Sequence, residues 1–156
     1  MSFRSFLSAT LVLAIAACGS SSEPTASVPI ESTTFAPSLG VNLATSTRTP
    51  SGMYYRDITV GSGATLTAGQ QVGVFYAGAL ANGSQFDARQ APSTPFSFKL
   101  GSGQVIRGWD EGVAGMKIGG KRQLIIPPAL GYGGNANGPI PANSVLVFTV
   151  EAVSAQ

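Results

Sequence analysis

Histidine is absent from this chain of 156 residues, cysteine and tryptophan occur once each, and only 10% of residues are charged. Without histidine the commonest general base and metal ligand is missing. A single cysteine, Cys18, excludes an intramolecular disulfide and a cysteine-cluster metal site. Ser-His and Cys-His nucleophile systems fall with them, and no Ser-x-x-Lys pattern occurs. The acids are too few and too scattered for an all-carboxylate metal site. No glycine-rich stretch carries the Gly-Lys-Ser/Thr of a phosphate loop. Neither cofactor nor metal is expected. Net charge is +2 with no basic run, which argues against nucleic acid as a partner.

What is present begins with an address. Arg4 gives a short positive start, and Phe6 to Ala17 is an apolar run too short to span a bilayer well. Residues 1–17 therefore read as a secretory signal. The box Ile15-Ala16-Ala17-Cys18 resembles that of bacterial lipoproteins. The resemblance implies cleavage before Cys18, a lipid on Cys18 and membrane attachment through that anchor. Gly19, rather than Asp, resembles the outer-membrane sorting pattern, which implies the periplasmic side of the outer membrane in a Gram-negative cell. The plainer alternative is a signal cleaved near Ala17, with Cys18 incidental. Residues 18–50 are rich in Ser, Thr, Pro and Ala and are expected to be a flexible tether. The patch Phe35 to Leu43 is more apolar than a linker needs, so docking on the domain is favoured there. The folded domain is expected over residues 51–156.

Within that domain, Ile106, Trp109, Val113 and Met116 recur at spacings of three and four, so the spacing predicts one short helix within Gln104–Met116. Gly108, Gly112 and Gly115 are poor helix formers. Their presence predicts something packed closely over the helix. The remainder reads as strand or loop. Strands are expected over Met53–Val60, Gln70–Leu80, Ser84–Asp87, Phe96–Leu100, Lys121–Ile126 and Val145–Val153. Asn82-Gly83 is a hairpin signal. Leu130 to Asn143 is a loop of the length that usually carries function. The fold class is α+β: an antiparallel sheet holding one short helix. Asp110 and Glu111 are expected to be surface acids near the helix start.

Aromatic residues are left over on elements that should converge: Tyr76, Phe86, Phe96, Trp109, Tyr132 and Phe148. An apolar pocket with a few polar tips is a binding site, and it can catalyse a reaction that needs no nucleophile. Residues carrying a specific pattern run in order through the domain. They are Val74-Phe75-Tyr76-Ala77-Gly78, Asn82-Gly83, Phe86-Asp87, Pro95-Phe96-Ser97-Phe98, Val105-Ile106-Arg107-Gly108-Trp109, Gly112-Val113, Gly115-Met116, Gly119, Ile126-Pro127, Gly131-Tyr132-Gly133, Ile140-Pro141 and Leu146-Val147-Phe148. With this order and spacing the domain resembles the FKBP family, the macrolide-binding peptidyl-prolyl cis-trans isomerases.

The resemblance implies a strongly curved antiparallel β-sheet wrapped around one short α-helix. It implies an isomerase acting on Pro-containing polypeptide segments, with FKBP-type macrolides as further ligands. Trp109 becomes the pocket floor, with Phe148 and Phe86 giving shape and dryness. Asp87 and Tyr132 become the polar groups that align substrate. Tyr76, Phe96, Val105, Ile106 and Ile140 complete the substrate-binding set. The chain departs from the family pattern where an Arg often pairs with the Asp: Pro92 stands there, and the nearest arginine is Arg89. The loop after Tyr132 is one residue shorter than in the best-known human member, and Pro139 replaces a common Ile. Two rivals remain: an FKBP-like module or chaperone that binds Pro segments without catalysis, and a purely structural envelope lipoprotein.

Overall fold

The computed structural model describes residues 29–156. The expected signal and the expected lipid site at Cys18 lie outside the described residues. No helix among the described residues is long and apolar enough to cross a membrane.

Seven strands form one antiparallel sheet: β1 (Thr47–Arg48), β2 (Tyr54–Thr59), β3 (Gln71–Leu80), β4 (Gln85–Arg89), β5 (Phe96–Lys99), β6 (Lys121–Ile126) and β7 (Leu146–Ala155). The order is β1-β2-β6-β7-β3-β4. The free edge of β3 is shared: β5 pairs with its first half, from Gln71 to Val74, and β4 with its second half, from Tyr76 to Ala79. The β3–β4 hairpin closes between Leu80 and Ser84 around Ala81, Asn82 and Gly83, where the Asn-Gly signal places it. The register shifts beside it, between Gly78 and Ala79.

One face of the sheet packs on helix α1 (Arg107–Gly112). Val72 and Val74 of β3, Leu124 and Ile126 of β6, and Leu146, Phe148 and Val150 of β7 are buried there with Trp109, Val113 and Met116. The helix is only six residues long, shorter than its apolar periodicity suggests. It ends at Gly112, and three residues on Gly115, at φ +78°, turns the chain away. Two of its glycines do what their presence predicts. A Cβ on Gly108 would meet Ile126 Cγ2 at 2.5 Å, and one on Gly112 would meet Leu124 Cδ2 at 2.7 Å. These contacts let the helix lie directly on β6.

The other face is also apolar, which corrects the expected tether boundary. Residues 29–50 are folded against the domain. Three single 3₁₀ turns, at Ile30–Ser32, Pro37–Leu39 and Leu43–Thr45, lead into β1, which pairs with β2. Ile30 is buried with Tyr54, Ile125, Val145 and Val147, and Phe35, Leu39, Val41 and Leu43 pack around them. Backbone and side chains tie the segment down. Ala36 N–H donates to the Ala81 carbonyl at 2.8 Å. Gln123 Nε2 donates to the Leu39 carbonyl at 2.7 Å, and Arg56 Nη2 to that of Gly40 at 3.0 Å. The buried Gln123 is therefore satisfied by the strap it holds. Docking of the Phe35–Leu43 patch follows from the alternation of β6 and β7: Ile125 and Val147, with Val145 just before β7, point away from the helix and need cover.

Candidate active site

Both ends of the short helix are fixed by side chains. The Asp110 carboxylate accepts the Gly101 and Gly103 N–H groups at 2.8 and 2.9 Å. Asp110 is thus no idle surface acid, as expected from sequence, but holds the turn that delivers Val105 and Ile106. Glu111 accepts the Ser51 hydroxyl at 2.6 Å. At the other end, Arg122 Nη1 donates to the Gly112 and Ala114 carbonyls at 3.0 and 3.3 Å, groups left over at a helix C-terminus. Its Nε and Nη2 form a two-point pair with Asp57 at 2.6 and 3.0 Å. The guanidinium also lies 4.5 Å from the Tyr55 ring centroid, within cation–π range.

The helix so held presents Trp109 as the floor of a cavity of about 590 Å³. Trp109 is 4% exposed. It meets Tyr76 edge-on at 5.0 Å between ring centroids, Phe148 at 5.3 Å and Phe96 at 6.0 Å. Phe86 stands edge-on to Phe148 at 5.5 Å. Edge-to-face contacts of this kind exceed simple area burial by about 0.5–1.5 kcal/mol each. The rings therefore brace one another into a fixed wall. The indole Nε1 is buried without a hydrogen-bond partner.

All ten residues expected at the site border this cavity: Tyr76, Phe86, Asp87, Phe96, Val105, Ile106, Trp109, Tyr132, Ile140 and Phe148. They come from β3, β4, β5, α1 and its approach, β7, and the loop after β6. Ile140 is 5% exposed and belongs to the main core as well as the rim. Asp87 differs from expectation in its surroundings: it is exposed at the mouth rather than enclosed by rings. It accepts the Tyr76 hydroxyl at 2.6 Å. Burial and that hydrogen bond push the Tyr76 phenol up to about 12. Arg89 donates to the Thr94 carbonyl at 3.4 Å, so it does not take the place of the family arginine at Asp87. The cavity is also bordered by Gln104, Asn137, Gly138 and Pro139. Asn137, Gly138 and Pro139 lie in the loop whose length pointed to function, and Pro139 is the residue that replaces the family's common Ile. The Gln104 side chain is turned back to accept Lys99 N–H at 2.8 Å.

This fold and cavity place the chain in a family. Residues 63–153 match the family model described as FKBP-type peptidyl-prolyl cis-trans isomerase, and the chain belongs to that family. Among its relatives, FK506-binding protein 4 of Dictyostelium discoideum is 53% identical over 106 residues, covering 67% of this chain and 29% of that protein. A peptidyl-prolyl cis-trans isomerase of Saccharomyces cerevisiae is 50% identical over 103 residues, covering 66% of this chain and 25% of its own length. The chain thus spans less than a third of these curated relatives. Among solved structures, AtFKBP13 superposes with a TM-score of 0.67 at 37% identity, covering 71% of this chain and 98% of that one.

Proposed function

We propose that the chain is a peptidyl-prolyl cis-trans isomerase that accelerates rotation about X-Pro bonds. The observation that carries this reading is the cavity over Trp109, walled by mutually braced aromatic rings, with the Tyr76–Asp87 pair at its mouth. An X-Pro bond isomerises over tens to hundreds of seconds unaided. Its barrier is about 18–20 kcal/mol because resonance holds the amide planar. The twisted transition state loses that resonance and carries less charge on the carbonyl, so water favours the planar ground state. A dry aromatic cavity removes this preference, and fixed contacts favour the twisted shape. In this scheme Trp109, Phe148 and Phe86 supply shape and dryness. Tyr132 donates to the substrate carbonyl, and Asp87 aligns through Tyr76. Tyr76, Phe96, Val105, Ile106 and Ile140 bind the residues around the proline. No proton is transferred and no covalent intermediate forms.

The relatives named FK506-binding proteins support FK506-type macrolides as ligands of the same cavity. The test is a proline-isomerisation assay on the chain from Pro29 to Gln156. Acceleration that is blocked by FK506 supports the reading; binding of Pro peptides without acceleration rejects it in favour of a non-catalytic module. The exposed Asp87, left unpaired by Arg89, is the observation that favours this second reading.

We also propose that the protein is a lipoprotein of the bacterial envelope, anchored through Cys18, with envelope or secreted polypeptides as substrates. The Ala16-Ala17-Cys18 box supports this. Cys18→Ala is expected to abolish lipid labelling and membrane retention; unchanged fractionation rejects the anchor.

A further inference from the structure

We propose that Gly78, on β3, is a positioning residue that sets the width of the cavity by leaving room for the Phe86 and Phe148 rings. The inference rests on the isomerase reading of the cavity. Gly78 is buried and pairs with Phe148 across the β3–β7 ladder. Cross-strand partners point to the same face, so a side chain at position 78 would project where the two rings lie. A Cβ there would sit 2.5 Å from Phe148 Cε1, 2.9 Å from Phe148 Cδ1 and 2.8 Å from Phe86 Cε2. The nearest atoms are thus the two rings that form one wall of the cavity. Both rings are rigid, and they are braced edge-on at 5.5 Å. Phe148 is in turn stopped by Trp109 at 5.3 Å. A methyl group at position 78 therefore has to move the wall off β3, and the cavity lies on that side. Gly73, on the same strand, offers a contrast. A Cβ there would meet the Ser154 Oγ at 2.5 Å, a short side chain at an exposed position away from the cavity.

Gly78→Ala is therefore expected to narrow the cavity selectively against large residues before proline. The experiment compares wild type, Gly78→Ala, Gly73→Ala, Phe148→Leu and the double variant Gly78→Ala/Phe148→Leu on Ala-Ala-Pro-Phe, Ala-Leu-Pro-Phe and Ala-Phe-Pro-Phe. Isomerisation gives KM and kcat, and Trp109 emission during peptide titration gives Kd. For Gly78→Ala, KM and Kd on the Phe-Pro peptide should rise on the order of tenfold, with a smaller rise on Ala-Pro and little change in kcat. Phe148→Leu should shift the preference the opposite way, and the double variant should return towards wild type. Loss of folded protein alone lowers the active concentration and leaves KM and the order of preference unchanged. If Gly78→Ala does not fold, the double variant is compared with Phe148→Leu alone, and identical constants for those two overturn the proposal. So does an unchanged preference in folded Gly78→Ala, or an equal shift in Gly73→Ala. Wild type that binds the peptides without accelerating them overturns the isomerase reading, while the Kd series still decides the role of Gly78.

Discussion

Tyr76 joins two jobs in one side chain, since its ring braces Trp109 and its hydroxyl is held by Asp87. Its phenol is pushed up to about 12 by burial first and by the Asp87 hydrogen bond second. A raised value means that the folded state favours the neutral phenol. The associated stability is complete below the ordinary value near 10 and is lost as pH rises through about 12. In an absorbance titration, the difference between wild type and Tyr76→Phe should have its midpoint near 12; a midpoint near 10 removes both the burial and the hydrogen bond from the account. Trp109 tests the floor. At 4% exposure it is a core residue, and Trp109→Ala should cost about 3–5 kcal/mol in denaturant unfolding. Trp109 emission in the wild type should change when a Pro peptide binds. A cost under about 1 kcal/mol would place the indole outside the core.

At the scale of elements, the strap before β1 behaves as part of the domain. Its Ile30 is 2% exposed against Tyr54, Ile125 and Val147 of the sheet, so Ile30→Ala should lower stability by about 2–5 kcal/mol. The strap should also respond to pH. The Tyr54 hydroxyl donates to Glu31 at 2.6 Å. That hydrogen bond first, and the Glu31 backbone second, hold the carboxyl below its usual 4.5. The same bond raises the Tyr54 phenol. Strap docking should therefore be complete above pH 4.5 and weaken as pH falls through the lowered carboxyl value, with a second loss in alkali above the usual tyrosine value. Exchange of the Ala36 amide, bonded to Ala81, reports this locally. Glu31→Gln should remove the acid limb. The strands and the helix face were legible because alternation and three-four spacing come from burial on the helix side. The strap was hard to read because its residues form no periodic element. Its cover was nevertheless signalled by Ile125 and Val147, apolar residues at positions that a solvent-facing strand fills with polar ones. The site was legible as a set of rings but not as an arrangement. Asp87 lies at the exposed mouth, and Asp110 organises a turn through backbone amides that no side-chain pattern betrays.

For the whole molecule, the absence of histidine becomes a statement about rate. The resolved shifts move Tyr76 and Tyr54 upward and Glu31 downward, away from the neutral range. Isomerisation of a peptide without titrating groups should be nearly flat from about pH 6 to pH 8, where only histidine among unperturbed side chains titrates. A bell-shaped profile inside that range reports an acid and a base at work and rejects catalysis by desolvation. The topology sets a different limit, on when the protein can come into being. β7 is the last of these seven strands to be synthesised, yet it lies between β6 and β3 and supplies Phe148 to the cavity. Until residue 155 has left the ribosome, β6 and β3 have no shared neighbour, and the helix faces two halves of a sheet. A growing chain therefore cannot bank partial structure strand by strand. Nascent chains arrested before residue 146 should be digested rapidly by protease, whereas chains extended by a spacer past residue 156 should resist; early resistance would mean that the two halves hold together without their centre.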